Sequence, residues 1–331
     1  MAAPAGENPN AAPEIGHCVV CDLPVEGRRH ELGGRIYCDE HYARATLGSR
    51  GTWPAIGAMI AGLVILAVVM LIVGDRISEE LSDNWIALIG LGVSLLPGVL
   101  WLLVFRHLDK LEAEPHTFLL SMFALGALLA GTIGEPLRRG LLDLHRWQPD
   151  SWFWSVAVHT LTQGVVQALL VYIAVRWTVY LTDEFDERAD GIIYGTAAGL
   201  GIATLLNINY VLDNRGLNLD VGTTRIIVDA LALAALGGVV GYGLGQVKFE
   251  RHAPWFVALW VAVAAVLNGV FEWLQSEVTA QELGFEGWPA LLFAGAFAVV
   301  VFGFVFYLLR VAVRETLSRA GRTTATATGE H

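Results

Sequence analysis

After residue 53 the chain is a succession of apolar runs of about 20 residues each, the length at which a helix crosses a bilayer core. Lipid offers no water to backbone N–H and C=O groups, so runs of this kind must satisfy their hydrogen bonds internally, as helices. The expectation is an all-α polytopic membrane protein. Its eight spans are read at about 54–74, 85–105, 116–135, 153–180, 190–212, 224–246, 254–275 and 289–312. Composition agrees: 16% of the 331 residues are charged, against about 25% in soluble domains. The bilayer is therefore the first partner implied, in the cell membrane. The formal charge of −11 argues against nucleic acid, because phosphate binding needs a basic surface.

The loops give an orientation, since cytoplasmic loops carry the excess of Lys and Arg. With the N-terminus inside, 15 of the 21 basic residues fall inside and six outside, namely Arg76, Arg138, Arg139, Arg146, Arg215 and Arg225. Both termini are expected in the cytoplasm, although three arginines between 138 and 146 run against that arrangement. Tryptophans at span ends (Trp53, Trp85, Trp152, Trp154, Trp255, Trp288) suit an interfacial belt. The first 50 residues contain no hydrophobic core of a signal peptide.

Ahead of the first span, residues 1–15 are rich in Ala, Pro and Asn and are expected to be disordered. Residues 16–43 hold all three cysteines. Cys18 and Cys21, then Cys38 and His41, make a C-x2-C…C-x2-H spacing that closes a tetrahedron of soft ligands, the geometry of structural zinc. Gly33-Gly34 reads as a hairpin turn between two short strands. His17 and His30 are alternative ligands at poorer spacing. The piece resembles a zinc ribbon or half of a LIM domain, with Tyr37 just before the third cysteine. So short a domain builds little core, and metal would supply much of its folding energy. Residues 44–53 are read as a linker, 54–314 as the membrane bundle, and 315–331 as a low-complexity tail.

Within the bundle, Asp190 to Tyr210 reads D-G-I-I-Y-G-T-A-A-G-L-G-I-A-T-L-L-N-I-N-Y. Small residues let helix backbones approach closely in lipid, and asparagines at membrane depth need partners inside the protein. This is the expected central helix, with a polar site near its C-terminal end. Further polar residues sit in the neighbouring spans: Gln163 and Gln167 one turn apart, Asp229, Asn268 and Glu272. Arg225 lies one turn from Asp229, so an intrahelical pair is the plain expectation there. For Gln163 and Gln167 it is hydrogen bonding between helices, for His159 a packed ring with one hydrogen bond, and for Glu272 a carboxylate reaching the interface.

The 190–210 stretch resembles a conserved block of the PrsW family of intramembrane proteases, approximately D-G-x-x-Y-G-x-x-x-G-x-G-F-A-x-x-E-N-x-x-Y. Asp190, Gly191, Tyr194, Gly195, Gly199, Gly201, Ala203, Asn207 and Tyr210 are in register, while Ile202 replaces Phe and Leu206 replaces Glu. The resemblance spans roughly 101–275 and includes the acidic run Asp109 to Pro115. It implies that Gln163, Gly164 and Gln167 stand where members carry E-E-x-x-K. Asp229 stands at a histidine position, and Asn268 and Glu272 at H-G-x-x-D/N. Each position to which the family's chemistry would be assigned is thus changed, mostly to another polar residue, while the packing glycines remain. A glutamine or asparagine amide hydrogen-bonds but takes no proton near neutral pH.

Three functions follow as expectations. The first is a non-catalytic family member that binds a membrane-protein or peptide partner in the old cleft. The second is a hydrolase with a rearranged site, using Asp229 and Glu272 as acid and base. The third is an ion or proton pathway, which intramembrane carboxylates also suggest, although no internal repeat is visible. For the first, Gln163, Gln167, Asn207, Asp229 and Asn268 are expected to meet in one pocket, with Gln163 and Asn268 able to satisfy one another.

Overall fold

The computed structural model describes residues 16–18, 23–25, 30–32, 35–40, 42, 49–108, 116–141, 151–182, 184–185, 188–216, 219–249, 253, 255–281 and scattered positions between 296 and 311. A two-stranded antiparallel hairpin, β1 (His30–Leu32) and β2 (Arg35–Tyr37), precedes the helices. The helices are α1 (Ser49–Glu80), α2 (Asp83–Leu108), α3 (His116–Leu129), α4 (Trp152–His159), α5 (Val165–Trp177), α6 (Arg188–Asp213), α7 (Val221–Phe249) and α8 (Trp255–Gln281). Wide π turns at Ala130–Gly134 and Leu137–Leu141 extend α3, and one at Thr160–Gly164 joins α4 to α5.

Seven spans are long and apolar enough to cross a membrane among the described residues, from Gly57–Gly74 to Trp152–Trp177, Arg188–Asp213, Val221–Phe249 and Trp255–Ser276. They follow the first seven expected runs to within a few residues. The expected eighth, 289–312, lies largely outside the described residues. Its described positions are helical, and Val305 and Leu308 are buried in the core. Helix α1 starts at Ser49, inside the stretch read as a linker. The first turn begins before the lipid-crossing window, which opens at Gly57.

Helices α6 and α7 are the middle of the bundle. Their windows are 78% and 83% buried, against 22–33% for the other five spans. The reason is readable in the glycines. A Cβ on Gly195 would stand in the carbonyl of Gly237, and a Cβ on Gly237 in the carbonyl of Gly195; Gly191 and Gly241 repeat the relation one turn away. Only glycine permits this approach, and van der Waals contact between backbones is what holds helices together in lipid. Large apolar side chains on the outer helices, Ile65, Ile72, Leu103, Leu120 and Leu161 among them, face outward, as they must where the solvent is hydrocarbon. Trp85, Trp152, Trp154 and Trp255 are exposed near helix starts.

The turns are capped locally. Ser151 is the N-cap of α4, its side chain accepting from Trp154 N–H. At the end of α6, Arg215 takes φ 55° and Gly216 φ 145°, and the Gly216 N–H returns to the Val211 carbonyl at 2.9 Å, a left-handed helix stop. The end of α7 fixes the segment after α5. There Lys248 Nζ donates to the carbonyls of Tyr180 (2.7 Å) and Phe185 (2.6 Å) and lies over the Phe185 ring at 4.7 Å.

In the knuckle, Cys18 and Tyr37 are buried and Cys38 is half-buried. Two of the four expected ligands, Cys21 and His41, lie outside the described residues. His30 bonds Asp39 at 2.7 Å and stacks on Tyr42 at 4.1 Å, so its ring has partners of its own. The acidic run 109–115 also lies outside the described residues.

Candidate functional site

The polar residues of the middle spans meet where α8 crosses the π turn and α5. The helices run antiparallel, and each carries polar residues four apart: Gln163 and Gln167 on one, Asn268 and Glu272 on the other. Antiparallel crossing pairs the first of one with the last of the other. Asn268 Nδ2 donates to Gln167 Oε1 at 2.6 Å. The Gln163 amide, with its nitrogen toward α8, donates to both Glu272 oxygens at 3.2 Å. This corrects the expected Gln163–Asn268 contact, which ignored the direction of the helices. It also turns Glu272 inward instead of toward the interface. Asn268 is 2% exposed, and its Oδ1 has no hydrogen-bond partner.

A second set lies on α7. Arg225 Nε stands 3.7 Å from Asp229 Oδ2, and its guanidinium lies over the Tyr210 ring at 4.2 Å. Asp229 Oδ1 accepts from Gln275 Nε2, one turn beyond Glu272 on α8. Glu272 is within electrostatic reach of Asp229 and Arg225, so the two sets are one network. Asn207 stands apart: it is buried and donates to the Ile226 carbonyl at 3.1 Å, tying α6 to α7. His159 bonds the Ser155 carbonyl one turn back at 2.8 Å.

Between α5, α6, α7 and α8 lies a cavity of about 10 Å³, lined by Gly164, Gln167, Gly199, Gly237 and Asn268 with apolar neighbours. That is room for roughly one water. Of the five residues expected to share a pocket, Gln167 and Asn268 line it, while Gln163, Asn207 and Asp229 do not. Gly164 closes the space: a Cβ there would stand in the Ala265 carbonyl. On the other side of the crossing, a Cβ on Gly269 would meet the Thr160 backbone.

Sequence reading missed two contributors. Gln275 falls three residues after Glu272, on the same helix face, and that spacing was the available signal. Glu135 is 7% exposed and accepts from Arg138 (2.9 Å) and Arg139 (2.6 Å), while Arg139 also reaches Asp213 at 2.6 Å. The i, i+3 and i, i+4 spacing of E-P-L-R-R announced that cluster.

Fold and site together define an integral membrane helix bundle with a polar network buried between its middle spans. The model of the PrsW family intramembrane metalloproteases matches residues 114–321, and the chain belongs to that family. It is 32% identical over 193 residues to Protease PrsW of Geobacillus kaustophilus, an alignment covering 57% of this chain and 79% of the relative. It is 28% identical over 191 residues to that of Bacillus subtilis, covering 57% and 82%. For Clostridioides difficile the figures are 29% over 191 residues, 55% and 76%. No solved structure matches.

The family description implies a metal ion, and the residues at this site do not fit one. No group of three or more His, Cys, Asp or Glu converges among the described residues. Asp229 is held by Arg225 and Gln275, and both oxygens of Glu272 face the Gln163 amide. Catalytic metals are bound by imidazole and carboxylate donors with a position left open; amides and a guanidinium occupy these places instead.

Proposed function

We propose that this chain is a PrsW-family member in which hydrolysis has been lost and the bundle is kept to bind a membrane-protein or peptide partner. The observation that supports it most is the Gln167–Asn268 pair. Two amides satisfy each other where the family resemblance places a lysine and a histidine. Neither activates water, because neither exchanges a proton near neutral pH. The glycine contacts of α6 and α7 remain tight, so packing is retained where chemistry has gone. A cavity of about 10 Å³ admits no peptide, and the partner meets the bundle from its lipid-facing side. The zinc knuckle at Cys18, Cys21, Cys38 and His41 adds a cytoplasmic contact. Both termini lie in the cytoplasm. Arg138 and Arg139, two of the three outer arginines that opposed that orientation, are neutralised by Glu135 and Asp213.

Titration of the full chain in nanodiscs with labelled single-span peptides tests this reading. Saturable binding is expected, with every peptide recovered intact by mass spectrometry. Shortened peptides, or no saturable binding across the set, would refute it. The rearranged-hydrolase reading draws support from one fact, the proximity of Asp229 to Glu272. It predicts the shortened peptides.

A further inference from the structure

We propose that the guanidinium of Arg225 is the permanent cation of the intramembrane site, a tethered charge that takes the place of a divalent metal ion and keeps such ions out. The inference deepens the non-catalytic reading and rests on it for the location of the site.

Four observations carry it. First, the carboxylates are those of Asp229 and Glu272, and their oxygens are engaged within the chain by Arg225, Gln275 and Gln163. Second, Arg225 is fixed in place. Its side chain is one-third exposed, and its guanidinium lies 4.2 Å from the centre of the Tyr210 ring, a cation–π contact that strengthens as water is removed. Third, Arg225 acts on both carboxylates: it is 3.7 Å from Asp229 Oδ2 and within electrostatic reach of Glu272. Arg138 also reaches Glu272 electrostatically but is bound at 2.9 Å to Glu135, which leaves Arg225 as the local counter-ion. Fourth, the position that would add a carboxylate is Gly164, where a Cβ would stand in the Ala265 carbonyl. The donor set is therefore short of a ligand, and the backbone has closed over the gap.

The electrostatics then exclude a second cation. Two carboxylates and a guanidinium leave a net charge of −1, half that of the bare carboxylates, and an added dication would meet the Arg225 charge at close range, where like charges repel strongly in a low-dielectric surrounding. Removing the guanidinium doubles the negative charge of the site. Two carboxylates left without a counter-ion, beside amide oxygens, are donors for a hard dication.

The test uses the full chain in nanodiscs, stripped with EDTA and titrated with Mn²⁺, counting free ion by electron paramagnetic resonance. Mn²⁺ prefers oxygen donors, which separates this site from the thiolate knuckle. The wild type is expected to bind no more Mn²⁺ than Asp229→Asn, and its Tm should be the same in Mn²⁺ and in EDTA. Arg225→Met should gain one Mn²⁺ per chain, and Arg225→Met/Asp229→Asn should lose it again. A wild-type ion abolished by Asp229→Asn overturns the proposal, as does a folded Arg225→Met that gains none. Arg225→Lys, which keeps the charge, guards against a Met variant that does not fold: it should still exclude Mn²⁺, and binding by it would count against the tethered-cation role. Cleavage without Mn²⁺ binding would refute the non-catalytic reading and leave this one intact. Mn²⁺ binding without cleavage would do the reverse.

Discussion

The amide pair between α5 and α8 offers a double-mutant cycle with an asymmetric outcome. Gln167→Met removes the acceptor of the Asn268 Nδ2 bond. Asn268 is 2% exposed and its Oδ1 already lacks a partner, so this variant strands both ends of the amide. A buried polar group left unsatisfied costs roughly 1–3 kcal/mol, and two on one side chain place Gln167→Met near the upper end. Asn268→Leu strands one atom, the Gln167 oxygen that accepted its bond, so about 1–2 kcal/mol is expected. Changing both partners to apolar side chains of similar volume returns the helix contact to near neutrality, since interhelical hydrogen bonds in membranes contribute only about 0.6 kcal/mol on average. The cycle should thus give a coupling of about 3 kcal/mol or more, at the top of the range for residues in contact. Thermal or denaturant unfolding in one detergent measures it. Additive losses in the double variant, or Asn268→Leu worse than Gln167→Met, would refute the reasoning.

Gly195→Ala should destabilise by about 1–3 kcal/mol as an overpacked contact, whereas Gly62→Ala, with nothing within 4 Å of its added carbon, should be neutral or mildly stabilising; comparative melting decides. Elemental analysis of the full chain should find one zinc per molecule, lost in Cys21→Ser; an unchanged metal content would remove the knuckle ligand set. A thiol introduced at Phe285→Cys should react with a membrane-impermeant maleimide from outside intact cells, and reaction only after permeabilisation would invert the orientation.

Much of the fold was legible because lipid leaves so few options. Apolar runs of about 20 residues can only be helices, and the glycines of 190–210 announced one of the two most buried, α6. What sequence could not supply was direction. Gln163, Gln167, Asn268 and Glu272 were all picked out, yet the partners were misassigned until the antiparallel crossing set the register. Asn207 shows the same gap. Its polarity at membrane depth was evident, but only the α6–α7 approach reveals that a carbonyl of the neighbouring helix, Ile226, satisfies it. Closure of the site by Gly164 was invisible for a different reason. A lone glycine in a helix says nothing until the backbone opposite it, here Ala265, is known. Gln275 was missed because glutamine near a span end reads as interfacial, although Asp229 of α7 claims it.

Loss of hydrolysis is the central claim, and oxygen-18 labelling reads it most directly. Any peptide bond hydrolysed by the reconstituted full chain in H₂¹⁸O acquires one heavy oxygen at its new C-terminus. With single-span substrates in the same bilayer, the wild type should give no more labelled ends than Asp229→Ala or Glu272→Ala. Labelled ends from the wild type that disappear in either variant would contradict the account and establish the carboxylates as a working site.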